Sequence, residues 1–397
     1  MKPYLHQEEL SNQALEILRE NAIVYLAMEE RTGKTLTAIL VAEKSAAKNV
    51  LVITKKKALD GWHETLDAYK PKDTIFDVTN YHQAHKVEPA KYDLILLDES
   101  HNYISSFPKP SGMWKKLKLI TKSKPLLYIS ATPYAQGPQM LFHQFALSSW
   151  SPWRKHSNFY QWFRMYGKPY TLEINGIPIN QYDRCDKDLV LGVVEHLFIT
   201  ATRQELGFEH EPEDETHYVE LSQETKEMYN TLVRDELLAI DGNTLVCDTS
   251  SKLRVSLHML EGGVAKIEED YLVLSNTEKI DYVLDKFGDS PSTVIMYNYK
   301  AERTKLERYF KQSLLLQATS YAEGVDLSEF ANLIIYSQDF STARHTQRRA
   351  RQCNMQRKDP IRVHFLLVKN GLSEQVFKTV TVNKRNFVDS VFERSTL

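Results

Sequence analysis

Cysteine is scarce in this sequence. Cys185, Cys247 and Cys353 stand far apart among 397 residues, and no CxxC pair exists. This argues against zinc and against a disulfide framework, and for a reducing compartment. Glycine and proline number only fourteen each, so long floppy linkers are not expected. No apolar run reaches the length of a membrane span, and the opening MKPYLHQEEL has no signal-peptide character. No short-period repeat or low-complexity tract is present. Charge is balanced as well: 50 Lys and Arg against 52 Asp and Glu give a net charge of −2. The chain is therefore not a polycation, and any binding to nucleic acid must use a local patch. These absences point to a soluble, cytoplasmic chain with no membrane partner.

What is present is material for large cores. Apolar residues make up 42% and aromatics 11%, which excludes a disordered chain. The length suggests two or three domains. Apolar strands are expected at 23–27, 49–54, 74–79, 94–98 and 126–131. Helices are expected at 7–19, 35–47 and 59–69. Strands alternating with helices imply a parallel sheet covered on both faces. A second α/β run has strands at 294–297, 313–318, 333–337 and 363–368, with helices at 301–312 and 342–353. The fold class is thus α/β, in two halves. Between them, residues 136–208 break the pattern and hold Trp150, Trp153 and Trp162, three of the five tryptophans. Two readings fit: a helical subdomain whose aromatics fill its own core, or a surface on which bases or a partner stack. The acidic run Glu209–Thr216 reads as a linker. Two α/β halves so joined suggest a nucleotide cleft.

Chemistry concentrates at strand ends. Gly33-Lys34-Thr35 follows the first strand and opens a helix, where backbone N–H groups and the helix dipole attract an anion. Lys34 can reach β- and γ-phosphates, and the Thr35 hydroxyl can bind Mg²⁺. The loop before it holds no glycine, and Met28 stands where a full phosphate-loop pattern has one. Asp98-Glu99 ends the strand LILLD. There Asp98 can hold Mg²⁺, and Glu99 can orient or deprotonate water. Ser130-Ala131-Thr132-Pro133 ends the next strand; its small hydroxyls can relay the state of a γ-phosphate, or the segment is an ordinary turn. On the basic helix QRRARQCN, Gln347 and Arg351 share a face, and Arg351 can fork onto phosphate oxygens. The alternative is a solvated basic helix.

With these residues in hand, the chain resembles the helicase superfamily 2 ATPases, and among them the Swi/Snf-type DNA translocases, over nearly its whole length. Leu26 to Thr35 lines up with the family's Leu-Ala-Asp-Glu-Met-Gly-Leu-Gly-Lys-Thr loop, with Arg31 in a glycine's place. Asp98-Glu99-Ser100-His101 matches a DEAH-like box, and Ser130 to Pro133 matches the Ser/Thr-Ala/Gly-Thr-Pro signature. Tyr218 to Tyr229 looks like the opening of the second lobe, Ala322 to Leu327 like the glycine-rich fifth motif, and Gln347 with Arg351 like the sixth.

The resemblance implies two RecA-like lobes in tandem: an ATP-binding lobe at 1–135, a helical aromatic-rich extension at 136–208, a linker at 209–216 and a second lobe at 217–397. It implies a monomeric ATPase that uses ATP and Mg²⁺ and moves on DNA, with RNA as the alternative track, in a bacterial or phage-infected cell. It makes Gln7 the adenine sensor, in an ambiguous register. Gly33, Lys34, Thr35, Asp98 and Gln347 become nucleotide contacts, and Thr35 and Asp98 the Mg²⁺ ligands. Glu99 and Arg351 become catalytic, and His101, Ser130, Thr132, Gly324 and Asp326 couple the nucleotide to the track. The family's second arginine of the sixth motif falls on Asn354, so Arg357, one turn on, is a candidate substitute. Arg349, on another face, is expected to matter little. A non-hydrolysing DNA-binding scaffold and a P-loop enzyme of small metabolites are the rival readings.

Overall fold

A computed structural model describes the chain apart from residues 175–176, 319–326, 354–356, 384–385 and 389–390, with backbone alone at 174, 177 and 343. It divides into two compact units, Met1–Gly207 and Phe208–Leu397. Among the described residues no helix is long and apolar enough to cross a membrane.

The first unit is built on a six-stranded parallel sheet. Its strands are β1 (Ile23–Met28), β2 (Asn49–Thr54), β3 (Ile75–Asn80), β4 (Leu94–Asp98), β5 (Leu126–Ile129) and, after the hairpin β6 (Tyr170–Ile174) and β7 (Ile177–Gln181), β8 (Phe198–Ala201). The order is β3-β2-β4-β5-β1-β8. Alternation along β1 explains why both faces are buried. Val24, Leu26 and Met28 pack with α1 (Leu5–Asn21) and α2 (Lys34–Lys44), while Ile23 and Tyr25 face the opposite layer.

That opposite layer holds most of the aromatic stretch. Phe142, Phe145, Trp153, Phe159 and Trp162 are buried and belong to one cluster with Tyr25, Leu97 and Tyr128 of the sheet. Trp153 and Trp162 meet edge to face at 5.5 Å between centroids. These aromatics fill a core, one shared with the sheet of the first unit, while Trp150 and Tyr160 of the same stretch remain exposed. The stretch is also not all helical, since β8 closes the sheet beside β1.

The second unit holds a five-stranded parallel sheet in the order β15-β14-β16-β17-β9. Its strands are β9 (Pro212–Val219), β14 (Thr293–Tyr297), β15 (Leu314–Gln317), β16 (Asn332–Ile335) and β17 (Ile361–Val368). Two hairpins precede them: β10 (Leu237–Ile240) with β11 (Asn243–Val246), and β12 (Val264–Ile267) with β13 (Asp270–Val273). The acidic run expected as a linker is most of β9, which pairs with β17 along all eight residues. Its carboxylates are compatible with a strand because β9 lies at the sheet edge and they alternate between faces. After it, Ser222 caps the helix Gln223–Asp235 by accepting from the Thr225 N–H at 3.2 Å.

Candidate nucleotide-binding site

The sheet order places β5 between β1 and β4, so the ends of these three strands lie side by side. After β1 the chain turns sharply into α2. Arg31 (φ 68°) and Gly33 (φ 83°) both adopt the left-handed conformation. For Gly33 this is easy; a Cβ there would also overlap the Gln7 side-chain amide. Gln7 is buried, accepts from the Tyr4 N–H at 2.9 Å and donates from Nε2 to the Gly33 carbonyl at 3.3 Å. The N-terminal helix thus brings Gln7 directly onto the loop.

Lys34 donates to the Glu29 carbonyl at 2.7 Å, within the loop itself. Burial depresses its pKa, while Glu30, Glu99 and Asp98 work in the opposite sense. An ammonium near three carboxylates at the start of a helix is a donor set suited to phosphate and a divalent cation. Arg203, just beyond β8, braces the loop. Its N–H donates to the Glu29 carboxylate at 2.8 Å, and its guanidinium donates to the Glu30 carbonyl at 3.3 Å. One oxygen of Glu30 is buried with no hydrogen-bond partner, a polar atom that a bound ligand or water can satisfy.

Asp98 ends β4 with its Oδ2 accepting from the Thr54 hydroxyl at 2.7 Å and from the Trp62 indole N–H at 2.9 Å. Burial, reinforced by the charge of Glu99, still pushes its pKa above the usual carboxylate value. Glu99 has φ 50°, a left-handed conformation that costs a non-glycine residue roughly 1–2 kcal/mol. The turn aims it at β5, where the Ser130 hydroxyl lies 3.3 Å from Glu99 Oε2. His101 Nδ1 is 2.9 Å from Ser130 Oγ and 3.4 Å from Glu99 Oε2, and His101 Nε2 is 3.4 Å from the Thr132 hydroxyl. Ser130 Oγ also accepts from the Thr132 N–H at 3.0 Å. Glu99, His101, Ser130 and Thr132 therefore form one connected web across two strand ends.

The residues expected from the second half behave differently. Gly324 and Asp326 lie outside the described residues. The basic helix runs only over Thr342–Arg349, followed by a 3₁₀ turn at Ala350–Gln352 and an extended Cys353 (φ −69°, ψ 126°). Residues 354–356, over which a one-turn spacing to Arg357 is expected, lie outside the described residues. Arg357 donates to the backbone carbonyls of Ser328 at 2.8 Å, Phe330 at 3.1 Å and Asp359 at 3.1 Å, contacts it must release to reach a phosphate. Gln347 and Arg351 are buried. Arg348 is buried too, bound to Asn298 Oδ1 at 2.6 Å and Asp339 Oδ2 at 2.7 Å. Arg349 reaches Asp214 at 2.6 Å and the Pro212 carbonyl at 2.9 Å, so it pins β9.

With this geometry established, the chain can be set beside known proteins. It is similar in fold to the Sulfolobus solfataricus SWI2/SNF2 ATPase core in complex with dsDNA. The match covers 96% of this chain and 92% of that one, at 16% identity and a TM-score of 0.44. No protein-family model matches, and no curated protein does. Trp62 and Arg203 were not singled out from the sequence. Trp62 lies in a plain amphipathic helix, and Arg203 follows a short strand with no motif around it.

Proposed function

We propose that the chain is a nucleic-acid-dependent ATPase that moves on duplex DNA. The observation that carries this reading is the convergence of Gly33-Lys34-Thr35, Asp98-Glu99 and the His101–Ser130–Thr132 web at neighbouring strand ends. In this reading Lys34 and the N–H groups at the start of α2 bind the triphosphate, and Gln7 reads the adenine beside Gly33. Thr35 and Asp98 would hold Mg²⁺, which neutralises phosphate charge. Glu99 orients and deprotonates the attacking water. Ser130 and His101 hold that carboxylate, so its position is linked to Thr132. The motif resemblance gives Gln347 and Arg351 the role of phosphate contacts, with Arg351 ranked ahead of Arg357, whose donors hold backbone carbonyls. The choice of DNA over RNA rests on the motif resemblance.

The test is steady-state ATP hydrolysis with no nucleic acid and with single-stranded DNA, duplex DNA, branched DNA and RNA in parallel. Duplex DNA is expected to stimulate most. Glu99→Gln should keep ATP binding and lose turnover by about 10²–10⁴-fold, while Lys34→Ala should lose both. No hydrolysis with any nucleic acid by folded wild-type protein would refute the reading in favour of a binding scaffold. Stimulation by RNA alone would refute the DNA assignment.

A further inference from the structure

Away from the nucleotide site, the edge of the second sheet carries a second constellation. Glu215 and His217 stand two residues apart on one face of β9, and His364 of β17 is the register partner of Glu215. His217 Nε2 lies 3.0 Å from His364 Nδ1. Glu215 Oε2 lies 3.3 Å from His364 Nδ1 and 3.9 Å from His217 Nε2. Three ligands about 2.05 Å from one tetrahedral ion are separated by roughly 3.3–3.4 Å. The observed triangle brackets that spacing.

We propose that Glu215, His217 and His364 bind a divalent transition metal of the zinc type, independently of any nucleotide-linked Mg²⁺. The scarcity of cysteine argues against thiolate zinc sites, but two imidazoles and a carboxylate form an alternative donor set. Both imidazoles are buried, so the site is enclosed on its imidazole side. The Phe287 ring lies 4.7 Å from His364 and 5.7 Å from His217 between centroids, shielding the rings from water. The Glu215 side chain is 37% exposed, which leaves a side from which a water ligand can enter. A metal here ties the edge strand β9 to β17.

The surroundings make the proposal specific. His217 Nδ1 is 3.1 Å from the Tyr282 hydroxyl and 3.0 Å from Lys286 Nζ. When Nε2 binds a metal, Nδ1 must carry the proton and donate it. The Tyr282 oxygen can accept it; an ammonium cannot. Lys286 therefore competes with the metal by occupying Nδ1 and by charge repulsion. Arg362, 3.4 Å from the other oxygen of Glu215, adds repulsion of the same sign.

The test uses the full chain, stripped with a chelator and titrated with Co²⁺ in excess Mg²⁺ and without nucleotide, followed by visible absorption and metal analysis. Expected are one Co²⁺ per chain with intense four-coordinate bands, displaced by Zn²⁺. His217→Gln and His364→Gln, which keep side-chain bulk, should abolish the bands while circular dichroism shows a folded chain. Lys286→Met should tighten binding, on the order of the 10–100-fold by which partners of a remote nitrogen tune such sites. No stoichiometric Co²⁺ on folded wild type, or the same spectrum in wild type and His364→Gln, overturns the site. Neither readout depends on turnover.

Discussion

Asp98 is held by two donors on a single oxygen, and removing one of them makes a quantitative test of the nucleotide site. Trp62→Phe keeps an aromatic ring packed at the sheet, though a smaller one, and deletes the 2.9 Å indole N–H bond, leaving the Thr54 hydroxyl at 2.7 Å. Hydrogen bonds to charged groups contribute about 1.5–3 kcal/mol. One pKa unit corresponds to about 1.4 kcal/mol. Loss of the bond should therefore raise the Asp98 pKa by roughly one to two units, beyond a value that burial and Glu99 have already raised.

The sign follows from linkage. A carboxyl whose folded pKa lies above its unfolded value favours the folded state most at pH below the unfolded value. That contribution is lost as pH rises towards the folded pKa. Binding of a cation must expel the same proton, so affinity for Mg²⁺ and turnover should rise with pH through the Asp98 pKa. In Trp62→Phe the acid limb of kcat/KM should move to higher pH by the same one to two units, with the alkaline plateau nearly intact. Thr54→Val should do likewise, and the double variant should exceed the sum of the two, because donors that share one oxygen weaken each other and each single loss is partly compensated. The assay is nucleic-acid-stimulated ATP hydrolysis across pH, with thermal melting to confirm folding. An unmoved acid limb in a folded Trp62→Phe protein refutes the assignment of Asp98 as the titrating metal carboxylate.

Other outcomes follow from the same contacts. Arg349→Ala should lower the stability of the second unit by about 1.5–3 kcal/mol, read as a shifted urea midpoint, because it frees Asp214 and β9; an unchanged midpoint contradicts that role. Arg351→Ala should cut stimulated turnover by at least about tenfold, whereas Arg357→Ala should mainly destabilise the second unit, since its donors hold backbone carbonyls. Equal turnover loss in both variants at unchanged stability would restore Arg357 as a substitute finger. Burial holds His143 at about 4, and His258 and His345 at about 3, all below the ordinary 6.5. Their stabilisation is therefore complete above about pH 6.5 and lost as pH falls towards the folded values, at up to roughly 1.4 kcal/mol per pH unit for each histidine. Urea midpoints at pH 7 and pH 5 test this, and equal midpoints would refute it.

The legible parts of this molecule are those whose signal is local. Strand runs such as LILLD and NVLVIT are apolar because both faces of a parallel sheet are covered, so their positions could be read directly. Gly33 and Lys34 could be read because the loop chemistry is confined to a few consecutive residues. The acidic run at 209–216 lies beside the boundary of the two units, but its composition does not show that most of it pairs as a strand. Glu215 and Asp214 sit on opposite faces of a strand, and their partners His364 and Arg349 lie more than 130 residues away. The extent of the basic helix is legible to within a residue, but its partners are not. Periodicity carried it to Cys353, but the chain leaves helical geometry after Gln352, and Arg348 and Arg349 are spent on Asp339 and Asp214. Trp62 and Arg203 carry no local mark at all. Each becomes informative only when folding sets it against Asp98 or Glu29. Within the proposed site, the residues proposed to contact a ligand therefore carry a local mark in the sequence, and those that hold them in place do not. That is why the sharpest test of the site falls on Trp62, a residue no motif singles out.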